Sequence, residues 1–153
     1  SDQVISGNKW FKLKYNLITA KKNHYDTLLT FGGAFSNHIH ATAAAANKFN
    51  FSSIGIIRGE ETKPINPTLR DATKMGMHLH YIDRKNYRNK TQPDFLATII
   101  NHFQKTYGKI YILPEGGSNS LALKGAAEIL SLIPINYQYL CLPCGTGGTL
   151  AGI

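Results

Sequence analysis

Cysteine and long apolar runs are both scarce in this chain of 153 residues, and each scarcity excludes a class of protein. The two cysteines, Cys141 and Cys144, are too few for a disulfide framework or a four-thiolate zinc site. No apolar run approaches the roughly 18 residues that a membrane-spanning helix needs. The first residues lack the basic and apolar regions of a signal peptide, so we expect a cytoplasmic protein with reduced thiols and no membrane partner.

Acidic residues are also few, with 9 Asp and Glu against 17 Lys and Arg, which gives a formal charge of +8. Such an excess of positive charge is typical of proteins that bind nucleic acids. The basic residues are spread along the chain, however, and their two richest stretches, at 9–22 and 84–90, are not dense blocks with interleaved aromatics. We therefore interpret the charge as a solvated surface and expect no nucleic-acid partner. A hydrophobic content of 42% indicates a globular chain.

Strand-like and helix-like segments alternate along the chain. The pattern predicts strands at 27–31, 53–58, 78–82, 109–113 and 137–142, and helices at 9–23, 36–48, 67–75, 93–107 and 121–132. This order is typical of a three-layer α/β fold, in which an open, mostly parallel sheet carries helices on both faces. Ligands bind such sheets at the edge where the strands end, so we expect the site there.

Three turns rich in Gly, Ser or Thr follow predicted strands, at 32–37, 115–119 and 145–149. The last combines small residues with a predicted helix start, which favours a phosphate group. It lacks the lysine of a P-loop, and Leu150 stands where a dinucleotide fingerprint has its last glycine. A monophosphate cofactor and a plain tight turn remain as the alternatives.

Three side chains near these turns are candidates for chemistry. Ser36 is either a helix N-cap or a hydroxyl for proton transfer, and Asn37 offers an amide donor to an anionic or phenolate oxygen. Lys9 opens a helix, where the macrodipole and burial both lower an amine pKa and favour a covalent bond to a carbonyl compound.

The histidine and cysteine residues are weaker candidates for a metal or redox site. His38 and His40 point to different faces of a predicted helix, while His78 and His80 share a strand face without an apparent third ligand, so we expect no metal site. Cys141 is expected to be a buried strand residue rather than one half of a redox pair.

Four motifs in order carry a resemblance that covers essentially the whole chain. They are Gly7-Asn8-Lys9-Trp10-Phe11-Lys12-Leu13, Gly32-Gly33-Ala34-Phe35-Ser36-Asn37-His38, Pro114-Glu115-Gly116-Gly117-Ser118-Asn119 and Gly145-Thr146-Gly147-Gly148-Thr149. In these motifs the chain resembles the 1-aminocyclopropane-1-carboxylate deaminase / D-cysteine desulfhydrase family of pyridoxal 5'-phosphate (PLP) enzymes. The resemblance implies the tryptophan synthase β-like fold, also called fold type II.

The resemblance also implies a role for each matching residue. Lys9 would bind the cofactor covalently, Ser36 would act as nucleophile or proton-transfer group, and Asn37 would donate to the phenolic oxygen of the cofactor. The implied phosphate loop consists of Gly145, Thr146, Gly147, Gly148 and Thr149. The implied substrate-binding residues are Asn8, Ser36, His38, Gly116, Gly117 and Ser118.

By the same resemblance we expect a lyase or deaminase that acts on a small amino acid and forms a homodimer. The sequence of the turn at 115–119 favours D-cysteine desulfhydrase, which releases pyruvate, hydrogen sulfide and ammonia. The alternatives are 1-aminocyclopropane-1-carboxylate deaminase and an inactive fragment that binds only a phosphate ligand or a partner. Family chains are longer, so we expect a fragment: 1–18 would belong to a large domain and carry the cofactor lysine, 19–120 would form a small α/β domain, and 121–153 would begin the core of the large domain.

Overall fold

Helices and strands alternate in the computed structural model, which describes residue 5 and residues 7–153. The helices are α1 (Asn8–Lys22), α2 (Asn37–Phe49), α3 (Pro67–Lys74), α4 (Arg84–Tyr87), α5 (Pro93–Tyr107) and α6 (Ser120–Ala127). The strands are β1 (Thr27–Gly32), β2 (Ser52–Arg58), β3 (Met77–Ile82) and β4 (Ile110–Leu113). Two short 3₁₀ turns span Glu115–Gly117 and Leu130–Leu132.

Side-chain caps fix the start of four of these helices, α2, α3, α4 and α6. The Ser36 hydroxyl accepts from the Ile39 amide at 3.3 Å, which confirms Ser36 as the N-cap of α2. Asn66 caps α3 through the Leu69 amide at 3.1 Å, with Pro67 at the first helical position. Both starts were predicted, because short polar side chains satisfy the free amide groups of a first turn.

The four strands form one sheet in the order β3-β2-β1-β4, and every pairing is parallel. Strand β1 lies inside the sheet, where Leu29 is opposite Ile54 on one side and Ile112 on the other. All six residues of β1 are buried. Because the strands are parallel, their carboxyl ends meet at one edge, and the turns at 32–37 and 114–119 begin there.

Helices cover both faces of the sheet, as predicted. On one face α1, α2 and α3 pack through side chains that include Leu13, Leu17, Ile39, Ala43, Leu69 and Ala72. On the other face α4 and α5 contribute Tyr87, Ile99 and Phe103, which pack on Leu29, Phe31, Ile54 and Ile56. The alternation along β1, with Leu28 on one face and Leu29 on the other, places an apolar layer on each side of the sheet.

The prediction of a fifth strand at 137–142 is wrong. No strand pairs with this segment in the described part of the chain, and its side chains are exposed, with Tyr139 at 86%. A strand requires a neighbour for its backbone groups, so an apolar run alone does not form one. Cys141, which we expected to be buried, is exposed for the same reason. The helix predicted at 121–132 ends at Ala127, and α4, which was not predicted, is a short turn capped by Asp83.

No helix among the described residues is long and apolar enough to cross a bilayer.

A close contact between α1 and α6 joins the first helix to the last helix of the described chain. An ideal Cβ atom on Gly125 would overlap the backbone carbonyl of Phe11, so the helices approach as near as glycine allows. Beside it, the fully buried Asn16 accepts from Asn119 Nδ2 at 2.7 Å and from the Tyr111 hydroxyl at 2.9 Å. Asn119 also caps α6 through the Ala122 amide at 2.9 Å. Strand β4 and both helices are thereby tied to one buried amide.

We predict that Gly125→Ala destabilises the protein, although alanine is the better helix former. The added methyl group must push α6 away from Phe11, and overpacking of this kind costs at least roughly 2 kcal/mol. Urea denaturation of the variant and the parent measures the difference.

Ala127→Gly, at an exposed position of the same helix, is the matched control and should cost about 1 kcal/mol through helix propensity alone. An unchanged or raised stability for Gly125→Ala would show that the helices are not held this closely.

Candidate functional site

A cavity of about 830 Å³ opens at the edge of the sheet where β1, β2 and β4 end. Five parts of the chain line it: the start of α1, the turn into α2, the end of β2, the turn after β4, and the segment 143–150. The lining residues include Asn8, Lys9, Lys12, Ser36, Asn37, His38, Arg58, Glu115, Gly116 and the whole loop 145–149. This is the edge at which parallel sheets bind their ligands, and it is where the site was predicted.

Two lysines on α1 face this cavity. Lys9 is partly buried, and burial lowers the pKa of its amine below the ordinary value. Lys12 is only 1% exposed and donates to Ser118 Oγ at 3.1 Å. Burial, with the nearby charge of Lys9, lowers the pKa of Lys12 to about 8. Each amine therefore loses its proton more readily than a lysine in water, which favours nucleophilic and base chemistry.

The turn from β1 into α2 supplies Ser36, Asn37 and His38. An ideal Cβ on Gly32 would overlap the side chains of Ser36 and Ile39, so glycine is needed where the chain folds back tightly. The Ser36 hydroxyl accepts from the Ile39 amide and still has its own proton to donate into the cavity. Asn37 is exposed at the cavity wall, with its amide group available to a ligand.

His38 is buried at 2% exposure, and neither ring nitrogen has a hydrogen-bond partner within the described residues. Burial is the largest influence on its pKa, followed by the charges of Lys9 and Lys12, and together they lower it to about 3. The Pro114 backbone acts in the opposite direction and is outweighed. His38 is therefore a neutral imidazole at physiological pH, with one donor and one acceptor nitrogen beside the cavity.

Hydrogen bonds at both ends hold the glycine loop 145–149 against the other walls. The Asn8 side-chain amide donates to Thr149 Oγ1 at 2.7 Å, and the hydroxyl groups of Thr146 and Ser118 form a hydrogen bond at 2.9 Å. Gly147 has a φ of 74°, a conformation that glycine adopts without strain. After it, amide groups bond back to carbonyl groups four residues earlier, from Ala151 to Gly147 and from Ile153 to Thr149. The loop thus opens a helical turn, as the sequence indicated.

Glycine is also required in this loop for close approach. An ideal Cβ on Gly148 would overlap Ser118 Oγ and lie 2.8 Å from Lys12 Nζ. Likewise a Cβ on Gly116 would lie within 2.7 Å of the Thr146 side chain. The result is a cradle of backbone groups with two threonine hydroxyls and a buried lysine at its side, a combination that suits an anion.

The structure brings most of the predicted site residues together in this one cavity. Asn8, Lys9, Ser36, Asn37, His38, Gly116 and the loop 145–149 all line it. Gly117 lies behind the wall, where an ideal Cβ would be 2.9 Å from the His38 ring, and Ser118 contributes through Lys12 and Thr146.

Sequence reasoning missed Lys12, Arg58 and Glu115 as residues of the cavity. Lys12 was detectable, because it stands three positions after Lys9 and therefore on the same face of the helix. No sequence pattern marked Arg58, which reaches the cavity from the end of β2.

The cysteine and histidine residues considered as redox or metal sites do not form a catalytic cluster. Cys144 lines the cavity, whereas Cys141 is exposed. His78 and His80 share one face of β3 as predicted, and both rings pack against Phe103 on α5. No group of three or more His, Cys, Asp or Glu side chains in the described ranges could hold a metal ion.

Comparison with known proteins identifies relatives that align with nearly the whole chain. The chain is 32% identical to the bifunctional D-cysteine desulfhydrase/1-aminocyclopropane-1-carboxylate deaminase of Arabidopsis thaliana, over 97% of this chain and 41% of that protein. It is 30% identical to a putative 1-aminocyclopropane-1-carboxylate deaminase of Thermotoga maritima, over 100% of this chain and 50% of that protein. The chain is homologous to the 1-aminocyclopropane-1-carboxylate deaminase / D-cysteine desulfhydrase family. The resemblance found in its motifs is thereby confirmed.

The chain spans about half the length of the curated relatives it matches. A D-cysteine desulfhydrase of Salmonella typhi is 26% identical over 98% of this chain and 48% of that protein. No protein-family model matches the chain.

Solved structures confirm the predicted fold. The crystal structure of a homologue of 1-aminocyclopropane-1-carboxylate deaminase superposes with a TM-score of 0.81 at 28% identity, over 96% of this chain and 45% of that one. A fungal L-serine ammonia-lyase from Rhizomucor miehei superposes with a TM-score of 0.63 at 15% identity, over 97% of this chain and 45% of that one. At that identity the second likeness shows a shared fold alone.

We predict that Lys12→Met stabilises the ligand-free protein at neutral pH. The pKa of Lys12 is about 8 when folded and 10.5 ordinarily, so between these values the unfolded chain binds more protons and the stability of the parent rises with pH. Below pH 8 the folded state bears the full cost of a buried charge. Removing the amine should add roughly 2–3 kcal/mol at pH 7 and flatten the slope between pH 8 and 10.5. Urea denaturation across this pH range measures both effects.

Lys22→Met, at an exposed position of the same helix, is the control and should leave the slope of the parent unchanged. A slope that is the same in Lys12→Met and in the parent would contradict the lowered pKa.

Proposed function

We propose that this chain forms the cofactor-binding part of a PLP-dependent lyase or deaminase that acts on a small amino acid. The observation that carries the proposal is the meeting of an amine, an amide donor and an anion cradle in one cavity. These are Lys9, Asn37 and the loop 145–149, which come from three separate parts of the chain. The names of the relatives, D-cysteine desulfhydrase and 1-aminocyclopropane-1-carboxylate deaminase, support the same class of activity.

The residues of the cavity fit the phosphate of this cofactor. Gly148 and Gly116 stand where any larger side chain would fill the cradle, and Gly147 turns the loop so that backbone amide groups are available. The hydroxyl groups of Thr146 and Thr149 lie at its two ends. Lys12 supplies a positive charge against Gly148, and the phosphate in turn would favour protonation of this buried amine. We assign the phosphate group to this cradle.

Lys9 is the residue that we propose binds the cofactor covalently. Its amine lines the cavity from the first turn of α1, and burial lowers its pKa, which raises the fraction of the neutral, nucleophilic form. The Lys9 amine, when not bound to the cofactor, would also move a proton at the carbon next to the substrate nitrogen. When bound, the cofactor supplies an electron sink for the carbanion at that carbon.

The turn into α2 supplies the remaining groups of the proposed mechanism. The Asn37 amide would donate to the phenolic oxygen of the cofactor and so orient its ring. The Ser36 hydroxyl, with its free proton, would transfer a proton to or from the substrate. Neutral His38 would contact the substrate as an uncharged donor or acceptor, because its pKa of about 3 excludes an imidazolium at working pH. Asn8, Gly116, Gly117 and Ser118 complete the proposed substrate wall.

D-Cysteine is the substrate that we propose, with release of pyruvate, hydrogen sulfide and ammonia. The turn that carries Glu115 and Gly116 lines the cavity and supports this choice, as does the name of the Salmonella relative. The second candidate is the opening of the 1-aminocyclopropane-1-carboxylate ring, which the name of the Thermotoga relative supports. An inactive chain that binds only a phosphate ligand is the third.

We also retain the proposed organisation: 1–18 and 121–153 in a large domain, 19–120 in a small one, a homodimer and a cytoplasmic location. The exposed apolar side chains of Ile135, Tyr137, Tyr139 and Leu140 support an extended large domain, because these side chains lack a covering layer in the described structure.

We predict that borohydride reduction of the protein with PLP traps the cofactor on Lys9. Peptide mass spectrometry of the reduced protein should locate the added mass at that residue. Lys9→Ala should abolish the adduct, whereas Lys12→Ala should retain it on Lys9 and require about tenfold more cofactor, because one charged phosphate contact is lost. An adduct on Lys12 in the parent protein would reverse the two assignments.

We predict that the protein releases hydrogen sulfide and pyruvate from D-cysteine, and that Ser36→Ala lowers kcat by at least about 100-fold through the loss of proton transfer. Sulfide and keto-acid assays on D-cysteine and on 1-aminocyclopropane-1-carboxylate measure both activities.

Asn66→Ala is the matched control, since it removes the same kind of N-cap from α3, away from the cavity, at a similar cost in stability. Turnover of the cyclopropane compound alone would select the second candidate. Inactivity on both substrates, with the adduct present, would contradict both.

A further inference from the structure

A second, smaller cavity lies beside the first, between the end of β2 and the turn that follows β3. It has a volume of about 270 Å³, and its lining residues are Arg58, Arg84, Tyr87, Arg88 and Lys90. Four of these five side chains are basic. Neither the names of the relatives nor the proposed reaction gives this cavity a role.

Tyr87 is the buried aromatic residue in the wall of this cavity. It is 2% exposed, and its ring meets Phe31 of β1 edge to face at 6.3 Å. The hydroxyl donates to Glu115 Oε1 at 3.0 Å, and burial together with that carboxylate raises the pKa of Tyr87, so it remains a donor. Arg58 lies over the ring at 5.8 Å and Lys90 at 4.9 Å. Two cations are thus held in place on one aromatic surface.

Few carboxylates are available to balance these charges. Glu115 pairs with Lys90 at 3.3 Å. Asp83, which directly precedes Arg84, accepts from the backbone amides of Lys85 and Asn86 and from the Asn86 side chain. No Asp or Glu in the described part of the chain forms an ion pair with the three guanidinium groups. Those groups, from Arg58, Arg84 and Arg88, therefore surround the cavity with uncompensated positive charge.

We propose that this cavity binds a small anion that carries at least two negative charges, in the form of phosphoryl groups or of paired carboxylates. Guanidinium groups bind both by parallel hydrogen bonds, and several around one cavity favour a multivalent anion over a monovalent one. The volume admits a ligand of the size of pyrophosphate or a tricarboxylate and is too small for a folded partner.

The proposed anion site is connected to the large cavity through two shared residues. Arg58 lines both cavities, and one of its terminal nitrogens is 3.4 Å from the ideal Cβ position of Gly33 in the turn before Ser36. Glu115 lines the large cavity and holds both Tyr87 and Lys90 of the small one. An anion that attracts Arg58 and Lys90 changes the charge at the rim of the large cavity. Binding at one site must then alter affinity at the other, and the effect is reciprocal.

Titration with inorganic pyrophosphate at constant ionic strength tests the proposal. Because the glycine loop also attracts phosphate, binding is located by amide chemical shifts: residues 84–90 report the proposed site and residues 145–149 the cradle. We expect saturable shifts at 84–90. The double variant Arg84→Gln/Arg88→Gln should weaken that binding at least about tenfold, since two charged contacts are lost.

Lys85→Gln is the matched control, because Lys85 is exposed on the same short helix and lines neither cavity. It should change the affinity by less than about twofold, the scale of a solvated surface charge. A parallel titration with citrate separates the two sources: binding of either anion at 84–90 supports the site and identifies the chemistry. Absence of saturable shifts there with both anions, or an equal loss in Lys85→Gln and in the double variant, would overturn it.

Discussion

The position of α1 depends on one close backbone contact, between the Phe11 carbonyl and Gly125 of α6. Helix α1 carries Asn8, Lys9 and Lys12, so every proposed function of this helix requires that it be held at a defined depth in the cavity. The buried Asn16 amide adds direction to this contact, because it accepts from Tyr111 and Asn119 at the same time. Glu128 adds a third attachment through Lys14 and Tyr15. These contacts together fix the position of α1, so that Asn8, Lys9 and Lys12 line the cavity.

The chemistry of the site follows from placing several basic groups in a poorly solvated cavity. Lys9, Lys12 and His38 each have a lowered pKa, and the charges of the two lysines contribute to the shift of His38. Such an arrangement costs stability in the absence of an anion and gains it when one binds. An anionic ligand in the glycine cradle would therefore compensate a cost in stability that the folded chain already bears. This is a common relation between stability and function in binding sites.

Much of the fold was predictable, because local patterns and tertiary packing agree along residues 27–113. The caps at Ser36 and Asn66 and the apolar run of β1 are local signals, and the structure confirms them. The failure at 137–142 has the opposite cause: the segment is largely apolar, but no strand in the described part of the chain lies beside it.

The candidate site likewise has residues that the sequence could predict and residues that it could not. The glycine loop and Lys9 carry motifs, so they could be found from the sequence. Arg58 and Glu115 enter the cavity only because of where β2 and β4 end, which depends on the order of strands in the sheet. The Lys12 environment required knowledge of which face of α1 is buried.

The hydrogen bond from Asn8 to Thr149 joins residues 141 positions apart. During synthesis α1 leaves the ribosome well before the loop 145–149, so this hydrogen bond can form only after the residues between them have been made. Contacts of such long range form late in folding, since the loop between them must close first. The sheet and its α2 layer, built from nearer neighbours, can assemble earlier. The proposed anion cradle is therefore complete only when the two ends of this long span have met.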